Sequence, residues 1–147
     1  MIEVTLITDP RQQKEAFRIR EVVFVQEQHV PAEEEYDEFE EICRHFLSLA
    51  DGIPCGTARW RYTDKGIKLE RFAVLKEFRT RKIGSALVQA ILDDIKLQPN
   101  TREKTLYLHG QVTAMPLYSK FGFVPVGYMF EECNIEHFKM VLPQNKN

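Results

Sequence analysis

Arg79, Arg81 and Lys82 put three cations into four consecutive positions, just after the strand formers Phe72, Val74 and Leu75. Beyond them Ile83, Leu87, Ile91 and Ile95 recur every four residues, the spacing of an amphipathic helix. A helix start leaves several backbone N–H groups without partners and carries about half a positive charge from its aligned peptide dipoles. A cationic turn at that point is a place for an anion, and a phosphate fits it well. Residues 69–92 therefore read as a buried strand, a basic turn and a helix.

Such a turn needs a sheet behind it, and the rest of the chain carries the pattern for one. Residues 3–8 alternate as a first strand and stop at Asp9-Pro10. A helix is expected over residues 12–28, with Ala16, Phe17, Val23 and Phe24 on one side and Pro31 barring any continuation. Residues 44–51, 54–62 and 67–75 are strand-like runs separated by the hairpin signals Asp51-Gly52 and Asp64-Lys65-Gly66. After the helix starting at Ile83, residues 105–109 read as a strand and 112–121 as a short helix. Residues 123–130 and 135–142 form a closing hairpin that turns at Asn134. This order predicts an α+β fold, an α/β sandwich with helices on both faces of a mostly antiparallel sheet. Residues 1–147 are read as a single domain, with 143–147 a polar tail.

Composition narrows the function classes. Twenty basic against 22 acidic side chains leave a net charge of −2, so there is no global attraction for nucleic acid or an anionic membrane. No apolar run approaches the roughly 18 residues of a membrane span, and no signal-peptide pattern opens the chain, so a cytoplasmic location is expected. Cys43, Cys55 and Cys133 are widely spaced, without a C-x-x-C pair for zinc or redox chemistry. Seven of the nine residues 33–41 are acidic, which reads as a solvated loop or as a funnel for a cationic amine. The run lacks the alternating pattern of a calcium loop, so no metal is expected. Arg20, Arg59 and Arg71 fall within elements that should be partly buried. Each should pair with carboxylates, Glu27 and Glu70 being candidates, or else hold a substrate carboxylate.

Val74 to Ala86 follows V-x(4)-R-x-x-x-x-G-S-A and resembles the acetyl-CoA signature of the GNAT N-acetyltransferases, Q/R-x-x-G-x-G/A. Arg79 takes the first position and Gly84 the last, whereas Lys82 stands where the family normally has its first glycine. Three further strings extend the resemblance over nearly the whole chain. FVQEQHVPAEEEYD, from Phe24 to Asp37, is similar to the YjcF/ElaA subgroup. LYSKFGF, from Leu117 to Phe123, resembles the family's helix tyrosine before a G-F turn, and Asn134-Ile135-Glu136-His137 stands in for the subgroup's G-I-x-H.

The resemblance implies a sheet splayed at its centre to admit acetyl-CoA, and acetyl transfer to a small-molecule or peptide amine by direct attack in a ternary complex. It places the backbone of Phe72, Ala73 and Val74 beside the pantetheine arm, with the amide near Val74 polarising the thioester carbonyl. Thr80, Arg81, Lys82, Ile83, Gly84 and Ser85 would wrap the pyrophosphate together with Arg79. Gln111 takes the place of a cofactor-contacting asparagine, and Tyr118 would protonate the departing sulfur.

An alkylamine with a pKa of about 10.4 must lose a proton before it can attack at pH 7, which costs roughly 4–5 kcal/mol, so a base is expected. Glu70 is the first choice. Glu27, Glu34 and His137 are candidates on the acceptor side, with His45 and His109 as further options. Two other readings remain open at this level: a non-enzymatic acyl-CoA sensor, and nucleic-acid binding by the basic turn, which the net charge opposes. GNAT relatives often dimerise, so a homodimer is also an expectation.

Overall fold

The structure, a computed structural model, describes residues 1–143. The expected polar tail therefore lies, beyond Pro143, outside the described residues. Seven strands form one sheet: β1 (Ile2–Leu6), β2 (Arg44–Ala50), β3 (Ile53–Thr63), β4 (Gly66–Val74), β5 (Leu106–Gln111), β6 (Val124–Glu132) and β7 (Ile135–Leu142). Their spatial order is β1-β2-β3-β4-β5-β7-β6, and every neighbouring pair is antiparallel except β4 with β5. This is the mixed, mostly antiparallel sheet that was expected.

The parallel contact decides the architecture of the site. Only Ile67, Lys68 and Leu69 of β4 pair with Leu106, Tyr107 and Leu108 of β5. Beyond Leu69 the two strands part, and β4 continues to Val74 with a partner on its β3 side alone. A bulge opposite residues 57–59 puts Arg71 at φ 59°, a conformation rare outside glycine, and helps to turn the strand away.

Helices cover both faces. α1 (Pro10–Arg20) is capped by Asp9, whose side chain accepts from the Gln12 N–H at 2.8 Å, and Pro10 sits where its missing N–H is harmless. α3 (Ile83–Leu97) buries Ile83, Leu87, Val88, Ile91 and Ile95 against Phe46, Trp60, Ile67, Leu69 and Leu108. On the opposite face Ala16, Ile19, Val23 and Phe24 pack on Leu47, Ala73 and Leu75. The consecutive residues Phe46 and Leu47 belong to different cores, as alternation along a strand requires. The tight turns fall where they were predicted. Asp51 and Gly52 both have positive φ, as do Cys133 and Asn134.

The helix predicted over residues 12–28 is two elements. α1 ends at Arg20, and a π-helical segment, Glu21–Glu27, carries on, with the Gln28 N–H reaching the Val23 carbonyl five residues back at 3.1 Å. The short helix predicted over 112–121 is likewise a 3₁₀ turn, Val112–Ala114, followed by α4 (Met115–Ser119).

The acidic stretch corrects the sequence reading more deeply. It is neither a wholly solvated loop nor a funnel of free charge. A single helical turn, α2 (Ala32–Glu35), leads into a loop that turns Glu35, Asp37 and Glu40 inward, while Glu33, Glu34, Glu38 and Glu41 stay exposed. The cause is three arginines, Arg20 on α1, Arg59 on β3 and Arg71 on β4, the first two fully buried.

Arg20 pairs with Glu35 and Glu40 at 2.7 Å each, Arg59 with Glu40 at 2.7 Å and Asp37 at 2.6 Å, and Arg71 with Asp37 at 3.2 Å and Glu35 at 3.5 Å. The six charges close into an alternating ring. Removing one member of such a network strands a buried charge, which typically costs about 3–5 kcal/mol. Burial alone would push the Asp37 carboxyl up, but hydrogen bonds from Arg59 and its charge bring it down to about 2. Among the described residues no helix is long and apolar enough to cross a membrane, and no three potential ligands gather as a metal site.

Candidate active site

Where β4 and β5 part, a cavity of about 430 Å³ opens. Phe72, Ala73, Val74, Arg79, Gln111, Tyr118, Glu70, Glu34 and His137, all singled out from sequence, line it together. Thr80, Arg81, Lys82, Ile83, Gly84 and Ser85 follow Arg79 out of the cavity into the turn and the start of α3.

The strand edge in the cavity is open to hydrogen bonding. The Leu75 N–H donates to the Cys55 carbonyl at 2.9 Å, so by antiparallel alternation the Val74 amide faces away from β3, into the gap. The same alternation turns the Ala73 amide towards β3, and its side chain is buried in the α1 core, so Ala73 serves as a spacer. The Val74 carbonyl accepts from Arg79 Nε at 3.0 Å. The remaining Arg79 nitrogens make a two-pronged ion pair with Glu27 at 2.6 and 2.9 Å. Glu27, expected on the acceptor side, is thus tied to the turn and does not line the cavity.

The turn itself explains the family's glycine. Lys82 has φ 63° and ψ 22°, the left-handed region that glycine enters freely and a lysine enters at roughly 1–2 kcal/mol. Thr80, at φ 72°, is strained in the same sense. Lys82 therefore keeps the backbone shape of a glycine and adds an exposed ammonium beside that of α3's free N–H groups, with the exposed Arg81 next to it. Gly84 has a different reason to be glycine: a Cβ there would stand 3.0 Å from Leu117 Cδ2. It brings α3 close to α4. The residues present fit a CoA-type pyrophosphate, with helix-start amides, two exposed cations and an unpaired strand edge leading inward.

Tyr118 packs edge-on against Phe72 with ring centroids 5.5 Å apart, and against Phe123 at 6.4 Å. Burial pushes its phenol well above the ordinary range, so it stays protonated. Gln111 donates to Gln28 Oε1 at 2.9 Å and ties the end of the π-helical segment to β5 across the cavity.

The surroundings of Glu70 run against the base role expected of it. Its carboxylate meets Arg61 at 2.6 Å, Lys68 at 3.2 Å and Arg59 at 3.3 Å. Burial opposes its charge, but the three cations hold its carboxyl below the usual range. His45 is remote from the cavity; its Nε2 lies 2.7 Å from the Glu40 carbonyl, and burial depresses its pKa.

Sequence reasoning missed Gln28, Lys68, Glu132 and Cys133, which also line the cavity. Nothing local marks them, since hairpin register brings Glu132 and Cys133 in. Glu34, on α2, accepts from the Cys133 thiol at 2.8 Å, and this bond pushes the thiol up to about 11. His109 Nδ1 lies 3.0 Å from Glu132 Oε1, and His137 Nε2 lies 4.0 Å from Glu132 Oε2.

A sheet opened between two parallel strands, an amide aimed into the gap and a cationic helix start beside it define an acyltransferase site. Residues 8–143 match the model of the acetyltransferase (GNAT) domain. The chain belongs to that family and is an acyltransferase of GNAT type. It is 35% identical over 141 residues to the N-acetyltransferase YjcF of Bacillus subtilis, covering 95% of this chain and 99% of that protein. The crystal structure of Escherichia coli ElaA superposes with a TM-score of 0.81 at 25% identity, over 97% of this chain and 100% of the other. An acyl-CoA N-acyltransferase from Pseudomonas aeruginosa shares the fold at a TM-score of 0.80 and 20% identity, over 97% of this chain and 100% of that one.

Proposed function

We propose that the chain, working as one GNAT domain, transfers an acetyl group from acetyl-CoA to a primary amine by direct attack within a ternary complex. The observation that carries this reading is the Val74 amide, facing a gap that continues outward to the left-handed Lys82 turn and inward to Tyr118. When bound, acetyl-CoA supplies a carbonyl carbon activated as a thioester.

The residues of the chain do the rest. The amides at the start of α3, with Arg81 and Lys82, hold the pyrophosphate, each charge-assisted hydrogen bond contributing about 1.5–3 kcal/mol. The Val74 N–H donates to the thioester oxygen and stabilises charge that develops there. Tyr118, kept protonated by burial, gives its proton to the sulfur. Glu34, Glu70 and His137 line the acceptor side, where a small molecule or a peptide end with a primary amine would enter.

Calorimetric titration of acetyl-CoA, CoA and ATP into the protein and a Lys82→Glu variant tests this. Selective binding of the CoA compounds, weakened about tenfold or more in the variant, is expected. Gly84 is a poorer position to alter, because a side chain there collides with Leu117. Equal binding of ATP, or no binding of CoA, would overturn the reading.

A further inference from the structure

We propose that His109, oriented by Glu132, is the base that takes the proton from the acceptor's ammonium group. This rests on the acetyl-transfer reading above and adds the group that reading lacks. Both residues line the cavity that holds Tyr118 and the Val74 edge. His109 lies on β5 just past Leu108, the last residue paired with β4, so it stands where the sheet opens.

The hydrogen bonds set its tautomer. Nδ1 lies 3.0 Å from a carboxylate oxygen of Glu132, which can only accept, so the ring hydrogen of neutral His109 sits on Nδ1. Nε2 then carries the lone pair, and no described residue bonds to it. The bond from His109 outweighs burial and holds the Glu132 carboxyl below its usual range, so Glu132 stays anionic beside the ring. Phe130 fixes the ring from the side, edge-on with centroids 5.1 Å apart.

The other candidates around the cavity are less exposed or engaged. His137 donates from Nδ1 to the Ile135 carbonyl at 2.7 Å, which leaves its Nε2 free too, but its side chain is only 9% exposed against 28% for His109. Glu70 is bound by three cations, and Glu34 already accepts from Cys133. The charged and titratable groups facing His109 are Glu132 on β6, His137 and Lys139 on β7, Tyr107 on β5, and Lys68 with Glu70 on β4. Lys68 pairs with Glu70 at 3.2 Å and Lys139 lies over the Tyr107 ring at 5.1 Å, so Glu132 is the charged group hydrogen-bonded to the imidazole.

The step balances as R–NH3⁺ plus imidazole giving R–NH2 plus imidazolium. The freed lone pair forms the C–N bond to the thioester carbon as the C–S bond breaks. Sulfur takes the Tyr118 proton, the second nitrogen proton restores the phenol, and the imidazolium releases its proton to solvent. His109 is the catalytic group and Glu132 the positioning one.

The test uses two generic nucleophiles at high concentration, with thiol release from acetyl-CoA above the protein-free rate as the readout, because hydroxylamine cleaves thioesters unaided. Ethylamine is an ammonium ion at pH 7 and needs the base, whereas hydroxylamine is a far weaker base and is already neutral. His109→Gln is expected to lose about 100-fold or more with ethylamine and under about 5-fold with hydroxylamine. Glu132→Gln should lose about 3- to 10-fold with ethylamine and shift the pH profile of that rate, which a merely structural role would not do. Equal losses on both nucleophiles, or no loss with ethylamine, overturn the assignment while leaving acetyl transfer intact. A wild-type protein that releases no thiol with either nucleophile overturns both readings together.

Discussion

Two groups of cationic side chains do opposite work. At the turn, Arg81 and Lys82 are exposed, project from a strained backbone and leave their charge available. In the ring, Arg20 and Arg59 are buried and every guanidinium is answered by carboxylates from the acidic loop. The residue types do not distinguish the two. Burial and partners do, since a cation taken out of water must be neutralised where it sits, whereas one left in water can wait for a ligand. Arg79 stands between them: half-exposed, it is held to Glu27 and to the Val74 carbonyl, and joins the turn to the strand edge.

This contrast can be broken at several points. The largest effect belongs to the ring. Arg59→Ala takes one of two arginine partners from both Asp37 and Glu40, leaves their charge under-compensated, and should destabilise the protein by about 3–5 kcal/mol in urea unfolding, whereas Arg81→Ala should stay within about 0.5 kcal/mol. Equal losses would erase the distinction.

Acid should find the ring next. Asp37 titrates at about 2 when folded, below its ordinary 3.8, so the unfolded chain binds more protons as pH falls. Its contribution, on the order of 2 kcal/mol, is complete above about pH 5 and is lost as pH falls through 4 towards 2. Thermal melts between pH 7 and pH 3 should show this fall, and Asp37→Asn should flatten it.

At the turn the effects are on ligand binding and strain. Lys82→Glu should weaken CoA about tenfold with little change in stability, and added salt should narrow the gap between variant and wild type. The smallest expected effect is a gain: Lys82→Gly relieves the left-handed strain and should stabilise the fold by up to about 1 kcal/mol, offset in part by glycine's greater freedom when unfolded. A loss of stability there would mean that the lysine side chain makes a contact that outweighs the strain.

Much of the fold was legible because its signals are local. The four-residue spacing from Ile83 to Ile95 marks α3, and Asp51-Gly52 and Asn134 mark turns that need positive φ. The cationic turn was legible for the same reason, being one continuous stretch. The ring was not, because its six charges come from α1, the acidic loop, β3 and β4 and acquire meaning only when buried together. Sequence reasoning expected Arg20, Arg59 and Arg71 to find carboxylates, and Glu70 does meet Arg59, but Glu27 goes to Arg79. The far wall of the cavity was hidden in the same way. Glu132 reaches His109 only through the register of β6, β7 and β5, and no local spacing announces that.

The π-helical segment, Glu21–Glu27, acts as a phase shifter in the wall of the cavity. A π-helical turn holds one residue more than an α-helical one, and each residue of an α-helix turns the chain by about 100°. Were the same seven residues to wind as plain α-helix, everything after them would swing by about that angle. Glu27 would leave Arg79 and Gln28 would leave Gln111, so both clasps across the cavity would open at once. The winding of this one segment sets whether the two halves of the site stay latched.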